Sequence, residues 1–142
     1  MKIVFDTNVI IAAFMTQGYC HEIVEYACEK HQVIVSPYIL NELEKKLVKK
    51  LRFQQKDVRK IIGYLNEHCT LASRVQKLSQ PASRDKTDDP VIAVAFQENV
   101  HALFSGDNDL LVLKKYQYIP ILAPKAFWEY ESQQLLDTHT VE

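Results

Sequence analysis

Glycine is scarce in this chain, with only three among 142 residues, at positions 18, 63 and 106. None belongs to the G-x-G-x-x-G pattern of dinucleotide-binding loops or to the G-x-x-x-x-G-K-[ST] pattern of P-loops. Those loops need glycine because their backbone approaches the phosphates closely. The sequence therefore disfavours a protein that binds dinucleotide cofactors or NTPs in this way.

Cysteines and long apolar runs are also few. The three cysteines are an odd number without a Cys-x-x-Cys pair, which indicates neither a disulfide framework nor a zinc knuckle. We interpret them as free thiols of a cytoplasmic protein. Asp6 interrupts the first apolar run, and the next, residues 9–15, is too short to cross a bilayer. We therefore expect neither a targeting segment nor contact with a membrane.

The remaining composition is that of a globular domain, with 47% hydrophobic and 25% charged residues. Short apolar runs predict strands over residues 2–5, 32–35, 102–105 and 118–122, with a further strand at 75–78. Helical patterns fall between them, over residues 7–14, 22–30, 56–68, 91–98, 109–115 and 124–135, and from Ser36-Pro37 onward. This alternation predicts an α/β fold, with a mainly parallel sheet flanked by helices on both faces. We expect a domain over residues 1–135 and a frayed tail over 136–142.

Acidic residues stand where strands pass into helices. They are Asp6, the pair Asp88-Asp89, and Asp107 with Asp109, while Glu42 lies about one turn into a helix. Each aspartate alone could cap a helix N-terminus, and Glu42 alone could be a surface residue. Ligands of parallel sheets, however, bind beyond the carboxyl ends of the strands, where these acids would meet. So many like charges in one pocket indicate a site for cations.

Basic residues are concentrated in one stretch. Residues 45–60 carry eight lysines and arginines against Asp57 alone, a net charge of +7, so the rest of the chain carries −8. Taken alone, this stretch could be a solvated helical face. Beside an acidic pocket, it is typical of a protein that attracts a polyanion.

Four sequence blocks resemble the signature blocks of PIN domains, and among these the small bacterial VapC-like toxins. The blocks are Ile3-Val4-Phe5-Asp6-Thr7-Asn8, Glu42-Leu43, Asp88-Asp89-Pro90-Val91-Ile92-Ala93-Val94-Ala95 and Ser105-Gly106-Asp107-Asn108-Asp109-Leu110-Leu111. They follow the family's order over nearly the whole chain. The resemblance implies a PIN-like fold with four or five strands and the activity of a metal-dependent ribonuclease, the toxin of a toxin-antitoxin pair.

The resemblance also implies site residues. The catalytic and metal-binding acids would be Asp6, Glu42, Asp89 and Asp107, with Asp109 as a further acid near the metal. Asn8 and Ser105 match positions whose side chains orient the carboxylates. Asp89 is preferred to Asp88 because Ile92, Ala93 and Phe96 lie one and two turns beyond it, which places it on the sheet-facing side of the helix. Pro90 at the first helical position makes Asp89 the expected N-cap of that helix.

The implied cofactor is Mg²⁺ or Mn²⁺, since hard cations prefer oxygen ligands and bind together with substrate phosphates. Such ions activate water for in-line attack, and the expected products carry a 5′-phosphate and a 3′-hydroxyl. Five basic residues are candidates for contact with RNA phosphates: Lys45, Lys46, Lys49, Arg84 and Lys86. The family further implies a small antitoxin partner and a homodimer.

Three other interpretations stay open at this point. A PIN-like module could bind RNA or protein without cleavage, although all four acids are present. A phosphoacceptor receiver domain would place its paired acids after the first strand, whereas the pair here is Asp88-Asp89. A haloacid-dehalogenase phosphatase would need D-x-D where this chain has Asp6-Thr7-Asn8.

Overall fold

Short, apolar strands form the centre of the fold. The computed structural model describes residues 1–72 and 74–140. Its strands are β1 (Lys2–Phe5), β2 (Gln32–Val35), β3 (Thr70–Leu71), β4 (Ala102–Phe104), β5 (Lys115–Tyr116) and β6 (Ile119–Leu122). They form one sheet in the order β3-β2-β1-β4-β6-β5, in which only the β5–β6 pair is antiparallel. The predicted mainly parallel sheet is confirmed, and two-residue strands at its two edges bring the number of described strands to six.

Helices connect and flank these strands. They are α1 (Thr7–Met15), α2 (Tyr19–Lys30), α3 (Pro37–Lys45), α4 (Gln55–His68), α5 (Asp89–Gln97), α6 (Asn108–Leu111) and α7 (Phe127–Thr140). A π-helical turn (Lys46–Lys50) extends α3, and 3-10 turns (Lys86–Asp88 and Pro124–Ala126) precede α5 and α7. Within the described residues, no helix combines the length and the apolar character needed to cross a membrane.

The core lies on the central strands and explains their uninterrupted apolar sequences. Residues 3–5, 33–35 and 102–104 are all buried, as expected for parallel strands covered on both faces. Phe5 and Phe104 pack with ring centroids 5.8 Å apart, and Phe104 contacts Phe127 of α7 at 5.4 Å. The carboxyl ends of β1 and β4 are thereby held side by side.

Local signals account for the start of α3. Ser36 is its N-cap, and the Ser36 hydroxyl accepts a hydrogen bond of 3.2 Å from the Ile39 N–H, while Pro37 occupies the first turn. This confirms the start predicted from Ser36-Pro37. Because α3 begins at Pro37, Glu42 lies about one turn into the helix, beside the sheet edge.

Three local predictions are wrong. No strand forms over residues 75–78, because Val75 and Leu78 pack against the core from an irregular segment, and the edge strand forms at Thr70–Leu71 instead. Asp89 is not the N-cap of α5: that position is Asp88, and Asp89 is the first helical residue. Helix α6 is also shorter than predicted, ending at Leu111.

Candidate metal centre

Acidic side chains from four parts of the chain line one cavity of about 370 Å³. Asp6 follows β1, Glu42 lies on α3, Asp88 precedes α5 and Asp107 follows β4. We call this space the acidic cavity; its lining residues are Asp6, Thr7, Asn8, Tyr38, Glu42, Lys46, Lys50, Asp85, Asp88, Val91 and Asp107. The structure therefore brings together three of the four predicted metal ligands, Asp6, Glu42 and Asp107, at the carboxyl edge of the sheet.

Asp6 is held rigidly at the end of β1. Its Oδ1 accepts a hydrogen bond of 2.8 Å from the Thr7 N–H, and its Oδ2 accepts one of 2.8 Å from the Ser105 hydroxyl. Burial raises the pKa of the Asp6 carboxyl, although these two hydrogen bonds partly offset the effect. Ser105 also accepts a bond of 3.0 Å from the Asp107 N–H. The Ser105 hydroxyl thus contacts the carboxylate of one predicted ligand directly and fixes the backbone of another.

Replacement of Ser105 by alanine should destabilise the ionised site. The Asp6 carboxylate and the Asp107 N–H would both lose a buried partner, which costs about 1–3 kcal/mol in the free energy of unfolding. Urea unfolding should show a larger loss at pH 8 than at pH 5, because the lost bond favours the charged form of Asp6. Ser83→Ala is the matched control, since the buried Ser83 hydroxyl makes only long contacts of 3.3–3.4 Å, to Asp85, Asp88 and Asp109. Equal losses in the two variants would contradict the role given to Ser105.

Glu42 is held by two residues of its own helical face. Lys46 Nζ lies 3.1 Å from Glu42 Oε1 and also donates to Asn8 Oδ1 at 3.2 Å. Burial raises the pKa of Glu42, but hydrogen bonds from Tyr38 and Lys46 outweigh it and the pKa lies below its ordinary value. Glu42 is therefore ionised at neutral pH. Asn8, expected to orient a carboxylate, reaches Glu42 through the Lys46 ammonium.

Asp88, not Asp89, contributes its carboxylate to the acidic cavity. Asp88 and Val91, three residues apart on one helical face, both line it. Asp89 and Ala93, four residues apart, line a neighbouring cavity instead. The Asp89 carboxylate accepts hydrogen bonds from the N–H groups of Ala82 (3.2 Å) and Ser83 (2.9 Å).

The structure thus does not bring Asp89 to the other predicted ligands. Consecutive residues at a helix start point about 100° apart, and here Asp88 faces the acidic cavity while Asp89 faces the neighbouring one. The expected sheet-facing stripe fails at Phe96, which is 41% exposed.

The environment of Asp88 is strongly unfavourable for its negative charge. Burial, followed by the nearby charges of Asp107, Asp6 and Asp85, raises the pKa of Asp88 to about 7. Carboxyl oxygens of Asp85, Asp88 and Asp109, one from each residue, lie within 4.8 Å of one another. Among the described residues this trio has the spacing of a cation site; Asp88 and Asp109 belong to the sequence blocks given above, whereas Asp85 lies just before the third of them. Asp6 and Asp107 meanwhile direct oxygens to N–H and O–H donors of the chain itself.

The remaining predicted residues are distributed around the site. Asp109 lies beside Asp85 and Asp88 and pairs with Arg84, whose Nη2 is 2.8 Å from Asp109 Oδ1. Lys46 lines the acidic cavity and Lys86 lines the neighbouring one. The other two candidates for RNA contact, Lys45 and Lys49, are exposed on the same helical stretch.

Sequence reasoning missed Tyr38 and Lys50. Tyr38 stands four residues before Glu42, and Lys46 and Lys50 stand four and eight residues after it, so this spacing could have revealed them. The π-helical turn is closed by a hydrogen bond of 3.1 Å from the Leu51 N–H to the Lys46 carbonyl. Each residue of a π-helix turns through a smaller angle than a residue of an α-helix, so Lys50 lies on the same helical face as Glu42.

The protein is an α/β domain with a mainly parallel sheet and a cluster of carboxylates beyond the ends of its strands. Comparison with known proteins identifies the family. A sequence profile of the PIN domain matches residues 2–109. The chain therefore belongs to the PIN domain family.

The fold is also similar to that of a chain in the crystal structure of VapBC2 from Rickettsia felis, bound to a DNA fragment from their promoter. The TM-score is 0.62 at 12% sequence identity, over 85% of this chain and 97% of that one. A search of curated proteins finds no match.

Proposed function

We propose that this protein is a divalent-metal-dependent ribonuclease and the toxin of a toxin-antitoxin pair. The observation that supports this most directly is the acidic cavity, where four carboxylates from distant blocks of a PIN domain converge. The likeness in fold to a chain of VapBC2 supports the toxin assignment and an antitoxin as partner. A homodimer, as in VapC-like toxins, is part of the same proposal.

The residues of the acidic cavity fit a hard divalent cation. Asp6, Glu42, Asp88 and Asp107 would hold Mg²⁺ or Mn²⁺, with Asp88 in the place that the sequence assigned to Asp89. Burial and the neighbouring acids raise the pKa of Asp88 to about 7, and a bound cation would favour its charged form, which supports the assignment. When bound, the cation would activate water and stabilise the charge that develops on the scissile phosphate.

The chain's own side chains then prepare this site. Ser105 fixes one oxygen of Asp6, while Tyr38 and Lys46 keep Glu42 ionised and oriented. Lys46 and Lys50 stand at the cavity, where each ammonium could meet a phosphate of the RNA backbone. The exposed Lys45 and Lys49 would extend this contact along the helix, and Lys86 would bind on the other side.

Cleavage of single-stranded RNA tests the proposal. We expect 5′-labelled RNA to be cut with Mg²⁺ or Mn²⁺ and to stay intact with EDTA. Asp6→Asn and Glu42→Gln should each lower kcat at least about 100-fold, since each removes a ligand charge. Glu44→Gln is the matched control, because Glu44 is exposed on the same helix as Glu42. Cleavage that persists in EDTA, or that is undiminished in both Asp6→Asn and Glu42→Gln, would contradict the proposal. Absence of cleavage under all conditions would favour a PIN-like module that binds without cutting.

A further inference from the structure

A large cavity beside the metal centre is not explained by the chemistry of cleavage. It measures about 590 Å³, within the range of roughly 300–1,000 Å³ that is typical of pockets for small ligands. We call it the side cavity. Most of its lining is apolar, from Pro37, Tyr38, Val75, Leu78, Pro90 and Ala93.

The side cavity adjoins the acidic cavity. Tyr38 lines both, and the adjacent residues Asp88 and Asp89 contribute one carboxylate to each. A nucleotide next to a phosphate in the acidic cavity would therefore lie near the side cavity. Lys77 and Lys86 are exposed residues of its lining, so its rim carries positive charge.

One wall of the side cavity is built by residues 74–83, which we call the strap. Helix α5 holds the strap at both ends. Gln97 Nε2 donates to the Arg74 carbonyl and Gln97 Oε1 accepts a bond of 2.8 Å from the Gln76 N–H. At the other end, Asp89 accepts the N–H bonds of Ala82 and Ser83. Asp89 is thus a positioning residue of this wall.

We propose that the side cavity binds one unstacked nucleobase of the RNA next to the scissile phosphate; this rests on the proposed function. An apolar pocket with an aromatic wall suits the flat face of a base, and stacking of this kind tolerates sequence while anchoring position. The positive rim suits the flanking phosphates. A protein segment would need no such rim, which is why we favour a base.

An abasic scan tests this inference. RNA oligonucleotides with a single abasic nucleotide at successive positions are measured for affinity to the Asp6→Asn variant with Mg²⁺, and for KM and kcat with the native protein. We expect one position at which loss of the base weakens binding about tenfold, as loss of one stacking contact does. The other positions should change it little.

Variants of the cavity wall locate the effect. Ala93→Met fills the cavity from α5 and should weaken binding of intact RNA about tenfold, while the abasic position should no longer stand out. Leu78→Ala, at a half-buried residue of the strap, removes apolar lining and should also weaken binding of intact RNA, which keeps the test usable if Ala93→Met does not fold. Val112→Ala is the control, because Val112 is an exposed apolar residue that lines neither cavity.

The outcomes separate this inference from the proposed function. If RNA is cleaved but no abasic position weakens binding, the base-binding assignment is overturned. The same holds if Ala93→Met and Leu78→Ala leave the affinity for RNA unchanged. Either result would favour a protein segment as the occupant of the cavity. If RNA is never cleaved, the proposed function fails, whereas the affinity scan still decides whether a base occupies the cavity.

Discussion

Asp88→Asn is expected to lower kcat for divalent-dependent RNA cleavage at least about 1,000-fold, whereas Asp89→Asn should leave kcat within about fivefold. Asp88 faces the other carboxylates, so its removal takes away a ligand charge at the metal centre. Asp89 instead accepts the Ala82 and Ser83 N–H bonds, and its replacement should loosen the strap and raise KM severalfold. Rates with saturating Mg²⁺ or Mn²⁺ measure both effects.

The two variants are matched controls for each other, since they make the same chemical change at neighbouring residues. Circular dichroism and thermal unfolding would confirm that both fold. A larger loss of kcat in Asp89→Asn than in Asp88→Asn would reverse the assignment and restore the interpretation made from helix register. Equal losses of kcat in both variants would contradict the assignment of the metal-binding role to Asp88 alone.

The second large effect concerns stability against pH. The pKa of Asp88 is raised to about 7 in the folded protein from an ordinary 3.8. Between these values the folded state holds a proton that the unfolded state has released, so stability falls as pH rises through this window. Above pH 7 both states are ionised and the full penalty remains. Allowing for screening at the open side of the cavity, we expect it to be about 1–2 kcal/mol.

In EDTA, the melting temperature should therefore fall between pH 5 and pH 8, by roughly 3–8 °C for a domain of this size. Asp6 contributes in the same direction because its pKa is also raised. Glu42 acts oppositely, but its lowered pKa confines its effect to pH values below about 4.5. Mg²⁺ should raise the melting temperature again, and by more at pH 8 than at pH 5.5.

Asp88→Asn isolates the responsible group. It should melt higher than the native protein at pH 8 in EDTA, show a flatter pH dependence, and gain little from Mg²⁺. Glu44→Gln should behave as the native protein does. If Asp88→Asn keeps the native slope between pH 5 and pH 8, the raised pKa is not the cause of the loss.

Features encoded by neighbouring residues were predicted well. The runs at residues 2–5 and 32–35 have the β-branched composition of buried strands, and Ser36-Pro37 marks a helix start by local hydrogen bonding. Asp6 and Asp107 follow strands and Glu42 lies one turn into a helix whose start is locally marked, so the sequence could place all three at the sheet edge, where they line one cavity. The order of the sequence blocks then identified the family.

Features decided by contacts between distant parts of the chain were not predicted from the sequence. The face of Asp88 depends on the 3-10 turn before α5 and on the two N–H groups that hold Asp89, and neither leaves a mark on the hydrophobic pattern. Val75 and Leu78 have the spacing of a strand, yet they pack as the wall of a cavity. Tyr38 acquires its role only when α3 is laid beside the sheet edge.

The strap is attached to α5 through its backbone groups, at Arg74, Gln76, Ala82 and Ser83. Val75 and Leu78 of the strap pack against the core, whereas residues 76–77 and 79–80 are exposed. None of residues 75–81 lines the acidic cavity. Under the proposed function, the exposed strap residues could therefore change without altering the carboxylates, and a change of target would not require a new catalytic site.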